Sequence, residues 1–78
     1  MPVVDLDWRP YDSRGTRSKV REILTFGRVE YELCLEGGLY VIRRTDRRKK
    51  AVVVSETARG RYPDTMDAWK LIASGNAG

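Results

Sequence analysis

The chain has 78 residues, of which 41% are apolar and 33% are charged. This composition is typical of one small globular domain, and it excludes a repeat array, a disordered tail and an enzyme with a separate cofactor domain. The sequence has no histidine and a single cysteine, Cys34. It therefore lacks the commonest general base, an internal disulfide and a thiolate metal cage. We expect no enzyme activity, no cofactor, no metal and no small-molecule substrate.

The charge is distributed unevenly along the chain. Fifteen lysines and arginines against eleven acidic residues give a net charge of +4. Residues 14–28 carry +4 and residues 43–50 carry +5, and a charged partner responds to such local excesses. The N-terminus lacks the basic and apolar regions of a secretory signal, and no apolar run approaches the ~20 residues of a membrane span. We expect a cytoplasmic protein with no membrane partner.

The first elements in chain order belong to an N-terminal arm, residues 1–19. Its segment from Val4 to Trp8 alternates between apolar and acidic residues, which is the pattern of a short edge strand. The stretch that follows, residues 9–19, is polar and contains Pro10 and Gly15, as expected of a loop or arm.

Residues 20–55 predict an antiparallel meander. Residues 29–36 alternate with period two, with Cys34 among the three glutamates, and a Gly37-Gly38 pair suits a two-residue hairpin turn into a strand from Leu39. This turn fixes the register, which places Leu33 opposite Ile42 and Glu32 opposite Arg43. A strand is predicted at 20–26, joined to the strand at 29–36 by a Gly27-Arg28 turn. Another strand is predicted at 49–55. Residues 20–26 also fit a short helix that ends at Gly27, and this alternative stays open.

Residues 64–74 predict the C-terminal helix. Asp64 is a good N-cap, residues 68–72 supply an apolar stripe that includes Trp69, and Gly75 is a stop signal. The fold class is therefore α+β, a four-stranded antiparallel meander (about three to five strands) with one C-terminal helix packed on one face. The domain spans residues 20–75, and residues 76–78 form a frayed tail.

The two faces of the predicted sheet have different roles. One face carries the core for the helix: Val20, Leu24, Phe26, Tyr31, Leu33, Tyr40, Ile42, Ala51 and Val53, with Glu22 out of place. The other face carries Ile23, Cys34, Leu39, Val41, Val52 and Val54, and it is too apolar to be left in water. Either the arm or a partner must cover it. Candidate partner-binding residues are Val4, Leu6, Trp8, Leu39, Val41, Val52 and Val54.

The basic hairpin at 43–50 is the strongest candidate functional site. A two-stranded ribbon fits the major groove of DNA, and the arginine fork matches phosphate. Basic residues at 14–21 would add a second contact, and Trp8, Tyr11 and Tyr62 are candidates for outward aromatic contacts. An ordinary solvated turn explains the same cluster, and this alternative also stays open. Candidate nucleic-acid-binding residues are Arg43, Arg44, Arg47, Arg48, Lys49, Lys50, Arg14, Arg17, Lys19 and Arg21.

The sequence thus predicts a small, non-enzymatic regulatory binding module that contacts DNA or RNA through its basic hairpin and arm. The alternative is a protein-interaction adaptor, or a self-associating homodimer, that uses the second apolar sheet face and the segment Val4–Trp8.

Overall fold

The computed structural model describes residues 6–12 and 18–76. The elements are β1 (Arg9–Pro10), β2 (Ser18–Phe26), β3 (Val29–Glu36), β4 (Leu39–Asp46), β5 (Val53–Glu56) and α1 (Tyr62–Ala73). The strands form one open antiparallel sheet in the order β1-β5-β4-β3-β2, followed by the helix. This confirms the predicted α+β class, and the sheet has five strands because the two-residue strand β1 pairs beside β5.

Glycine turns set the register of the central hairpins. Gly27 and Gly38 have φ values of 61° and 83°, which L-residues with a side chain rarely adopt. The predicted pair of Leu33 with Ile42 is present, as are its neighbours along the β3–β4 ladder. Residues 20–26 form a strand and not a helix.

Helix α1 packs on one face of the sheet, which we call the helix face. Trp69 and Ile72 are buried there in one core with residues of β3 and β4. The helix begins at Tyr62 with Arg61 as the N-cap, so the prediction of Asp64 as the N-cap is wrong. Proline fits the first turn of a helix because no N–H is needed there, and Pro63 therefore lies inside the helix.

A β-bulge in β2 changes which residues belong to the helix face. The register shifts between Val20 and Glu22, so that Val20 pairs with Cys34 and Glu22 pairs with Leu33. The predicted place of Val20 in the helix-covered core is therefore wrong, and its side chain is exposed. Glu22 lies on the helix face as the alternation predicted, and its Oε2 accepts a 2.6 Å hydrogen bond from Nε1 of the buried Trp69.

The opposite face is partly covered by polar side chains of the same chain. Cys34 and Val41 lie on it and are 0% and 2% exposed. Nη2 of Arg43 lies 3.2 Å from the Cys34 sulfur, and its Cζ lies 5.1 Å from the centroid of the Tyr11 ring. The guanidinium of Arg43 and the phenol of Tyr11, which belongs to the predicted arm, thus form part of the cover of this face.

The N-terminal segment lies against the helix-face core without forming a strand at residues 6–8. Leu6 and Trp8 both pack on this core. Asp7 has a φ of 56°, which is incompatible with the extended backbone of the predicted strand at 4–8. Edge pairing begins instead at Arg9, and residues 4 and 5 lie outside the described residues. No helix in the part of the chain that the structure describes is long and apolar enough to cross a membrane.

Candidate nucleic-acid interface

Two chain connections meet at one end of the sheet. A turn at Gly27-Arg28 joins β2 to β3, and the loop 47–52 joins β4 to β5. The backbone N–H of Arg47 donates a 2.9 Å hydrogen bond to the carbonyl oxygen of Arg28, which holds the two connections together. The strand predicted to start at Lys49 starts at Val53, so the basic run lies in the loop. We call the following exposed side chains the basic end: Arg28, Arg47, Arg48, Lys49 and Lys50.

An aspartate orders the loop of the basic end. Oδ1 of Asp46 accepts 3.0 Å hydrogen bonds from the backbone N–H and from Nε of Arg48, and Oδ2 accepts one of 2.7 Å from Nη2. The Arg48 guanidinium and backbone N–H hold the pKa of Asp46 well below its usual range. Because Asp46 binds both the backbone and the side chain of Arg48, it fixes the start of the loop that carries the other cations.

The two arginines at the start of the predicted basic hairpin lie on different faces of the sheet. Arg43 is on the opposite face, where its Nε lies 3.5 Å from Oε1 of Glu32. Arg44 is on the helix face, with its Cζ 4.4 Å from the centroid of the Trp8 ring. Both side chains are half-buried, and their guanidinium groups already contact other parts of the fold.

The remaining predicted cations are separated from the basic end. Lys19 and Arg21 are exposed near the start of β2, where Lys19 pairs with Leu35. The turn of the basic end follows the last residue of β2, so about 20 Å of strand lies between the two groups. Arg14 and Arg17 lie outside the described residues. Of the predicted set, the structure therefore brings together the four loop residues 47–50.

Aromatic side chains lie on the helix face beside the basic end. The ring centroid of Phe26 is 6.0 Å from that of Tyr31, at an interplanar angle of 74°. The Trp8 ring is also 6.0 Å from Tyr31. Tyr31 is buried, whereas Phe26 is 47% exposed. Of the aromatic residues predicted to point outward, Trp8 and Tyr11 are half-buried, whereas Tyr62 is 55% exposed and lies on α1 and not in a loop.

Two residues of this surface, Arg28 and Phe26, were missed by the sequence analysis. Arg28 was treated only as a turn residue, although every second connection of a meander lies at the same end of the sheet. That topology alone places the turn at 27–28 beside the loop at 47–52. Phe26 was assigned to the core from its alternation, but it ends β2, which lies at the edge of the sheet, next to a turn. Its position in chain and sheet was the signal for its exposure.

The predicted partner-binding residues do not form one surface. Leu6 and Trp8 pack on the core, Val41 is buried, and Val54 is half-buried. Leu39 and Val52 are exposed, but they lie at opposite ends of the sheet, beside the Gly37-Gly38 turn and in the basic loop. Val4 lies outside the described residues.

A second group of charged residues lies on the opposite face, around Arg59. Its Nη2 lies 2.7 Å from Oε1 of Glu36 and 3.2 Å from Oε2 of Glu56, and both carboxylates are buried. Glu36 is the main cause of the raised pKa of Arg59. Two cavities of about 330 and 430 Å³ adjoin this residue. The pairing compensates the buried charges, and this accounts for the group as part of the fold.

No protein family, curated protein or solved structure matches this chain. Among residues 6–12 and 18–76, no three cysteine, aspartate or glutamate side chains lie close enough together to hold a metal ion. The choice of candidate site therefore depends on the geometry and charge of the basic end.

Proposed function

We propose that the protein is a small, non-enzymatic regulatory module that contacts nucleic acid through its basic end. The observation that carries this proposal is the hydrogen bond from Arg47 to Arg28, because it joins cations from two separate connections into one exposed surface. The five cations of the basic end are all exposed, and Asp46 engages one of them, Arg48.

Phosphate contacts by this surface would release counterions from the nucleic acid, which is the main source of affinity for a basic protein of this kind. Arginine adds a planar fork that matches two phosphate oxygens, and lysine adds a mobile point charge. A module of this kind would regulate by occupying the stretch of nucleic acid to which it binds. Cys34, a buried free thiol, is consistent with a reducing compartment such as the cytoplasm.

The test is fluorescence anisotropy with labelled duplex DNA, single-stranded DNA and RNA at about 50 and 200 mM salt. With four phosphate contacts, from the cations that Asp46 does not engage, we expect the affinity to fall by roughly 50- to 150-fold between the two salt concentrations. In the double variant Arg47→Glu/Lys49→Glu, we expect at least about tenfold weaker binding at the lower salt and a salt dependence reduced by about two contacts.

A matched control is available on the helix. Arg61→Glu/Lys70→Glu changes the net charge by the same amount at two exposed positions outside the basic end. We expect this variant to keep the wild-type salt dependence. Equal losses in the two double variants would show that net charge alone drives binding and would contradict a defined site. Absence of binding by the wild-type protein would overturn the proposal, and would leave protein association, the alternative, as the better account.

A further inference from the structure

We infer that the basic end selects single-stranded nucleic acid, with Phe26 as the surface on which a base stacks. This inference rests on the proposed function and deepens it by naming the class of nucleic acid. It draws on a different observation, which is the exposed aromatic ring beside the cations.

Phe26 belongs to a row of residues that crosses the sheet next to the basic end. It pairs with Val29, which pairs with Asp46, which in turn pairs with Val53, and all four side chains lie on the helix face. Phe26 and Val53 are 47% and 53% exposed. The row therefore has the solvent-exposed ring of Phe26 at one side, and Asp46, which is bound to Arg48, near its middle.

The ring of Phe26 is held in place without being covered. It meets the buried Tyr31 at 74°, an edge contact in which at most one face of Phe26 is occupied. A ring that is positioned in this way loses little conformational entropy when a planar partner stacks on its free face.

Cations lie within reach of a nucleotide stacked there. Neighbouring strands are about 4.8 Å apart, which places Asp46 about 10 Å from Phe26, and Arg48 is bound to Asp46. Arg28 follows Phe26 by two residues in the turn. A phosphate on one side of the stacked base can therefore be neutralised by Arg28, and the guanidinium N–H groups of Arg48 that Asp46 does not use can donate to the phosphate on the other side, while the base covers the ring.

A duplex does not offer this contact, because its bases are stacked on one another and have no free face. Stacking of an unpaired base on an aromatic side chain contributes about 5- to 150-fold to affinity and tolerates any base. Duplex DNA retains only the phosphate contacts. The combination of a ring and cations at the basic end thus favours a single strand.

The experiment compares Phe26→Leu and Phe26→Trp with the wild-type protein. The probes are a 12-nucleotide single-stranded DNA, the RNA of the same sequence and the corresponding DNA duplex. Leucine keeps an apolar side chain but removes the ring, so we expect a loss of at least about fivefold for both single strands and no change for the duplex. Tryptophan keeps a ring, and we expect single-strand affinity at or above that of wild type.

Tyr62→Leu is the matched control. Tyr62 is 55% exposed and meets Tyr40 in an edge contact at 5.3 Å and 66°, so it resembles Phe26 in exposure and in ring contact but lies on α1, away from the basic end. We expect this variant to bind like wild type. Circular dichroism melts show whether each variant is folded, and the tryptophan variant provides a second test if the leucine variant does not fold.

The outcomes separate this inference from the proposed function. A wild-type protein that binds no probe overturns both. A wild-type protein that binds, together with a Phe26→Leu variant that keeps full single-strand affinity or loses duplex affinity equally, overturns the stacking inference and leaves the phosphate contacts standing. A preference for RNA over single-stranded DNA, or the reverse, with loss in the leucine variant supports the inference and identifies the preferred strand.

Discussion

At the scale of single residues, Asp46 shows how an acidic side chain can support a basic surface. The four cations that follow Asp46 in the loop repel one another, and in a flexible loop they would move apart. Its bonds to the backbone and the guanidinium of Arg48 fix the loop instead. The Asp46 carboxylate lowers the net charge of the basic end by one, but it also orders the start of the loop that carries the cations.

The Asp46 contacts predict a pH dependence of stability. The pKa of Asp46 in the folded protein lies below the unfolded value of about 3.9, so the contact stabilises the fold above about pH 4 and is lost as the pH falls further. We expect Asp46→Asn to be less stable than wild type in urea titrations at pH 6, with the difference shrinking below pH ~4. The effect is small, because the pair is solvent-accessible. A difference that is constant from pH 6 to pH 3 would contradict this account.

At the scale of elements, Glu22 connects the edge strand β2 to the helix. Its carboxylate lies on the helix face, in step with Leu24 and Phe26, and accepts the hydrogen bond of the Trp69 indole. Trp69 is 4% exposed, and its N–H would otherwise be buried without this acceptor. Glu22, which interrupts the apolar pattern of the strand, is thus the residue that accepts the hydrogen bond of Trp69, the largest side chain of the helix.

The link between these elements can be tested by removing the acceptor. We expect Glu22→Ala to lower the free energy of unfolding by about 1 to 2 kcal/mol, because the Trp69 N–H loses a charged partner. Glu22→Gln retains an oxygen acceptor in the same place and should lose less. Urea denaturation followed by tryptophan fluorescence measures both variants. Equal stability of the alanine and glutamine variants would show that the hydrogen bond is unimportant.

At the scale of the whole molecule, a chain of 78 residues has too little apolar material to cover both sheet faces with helices. The helix face is covered by α1 and by the N-terminal residues Leu6 and Trp8. On the opposite face, Arg43 and Arg59 lay their long side chains over the strands while their charged groups find carboxylates. Polar residues thus contribute to the cover of a small core.

The N-terminal cover predicts that Trp8 matters for stability although it precedes every strand. Trp8→Ala removes the ring beneath Arg44 and the contact with Tyr31, and we expect the free energy of unfolding to fall by about 2 to 3 kcal/mol. Trp8→Phe keeps an aromatic ring for Arg44 and should retain more than half of this stability. Guanidinium denaturation of the three proteins measures the difference. A Trp8→Ala variant as stable as wild type would show that the segment does not contribute to the core.

The sequence was sufficient for the features that depend on local rules. A Gly37-Gly38 turn permits few loop geometries, so the pairing of Leu33 with Ile42 followed from it. The length and apolar stripe of the helix were likewise visible, because Trp69 and Ile72 recur at helical spacing.

Features that depend on the third dimension were not predictable in the same way. A bulge adds one residue to a strand and so reverses the faces of the residues that precede it, and nothing in the sequence near Arg21 indicates it. Grouping Arg43 with Arg44 by proximity in the chain ignored that adjacent strand residues point to opposite faces.

The pairing of β1 with β5 has a consequence for the order of folding. Hairpins β2–β3 and β3–β4 close short loops, whereas Arg9 and Glu56 are 47 positions apart in the sequence. Closing a long loop for two residue pairs is entropically unfavourable, so we expect the N-terminal segment to dock after the meander and to be released before it. Its release would uncover Tyr31 and Arg44 beside Phe26. The aromatic surface beside the basic end would then be larger in the released state than in the docked state.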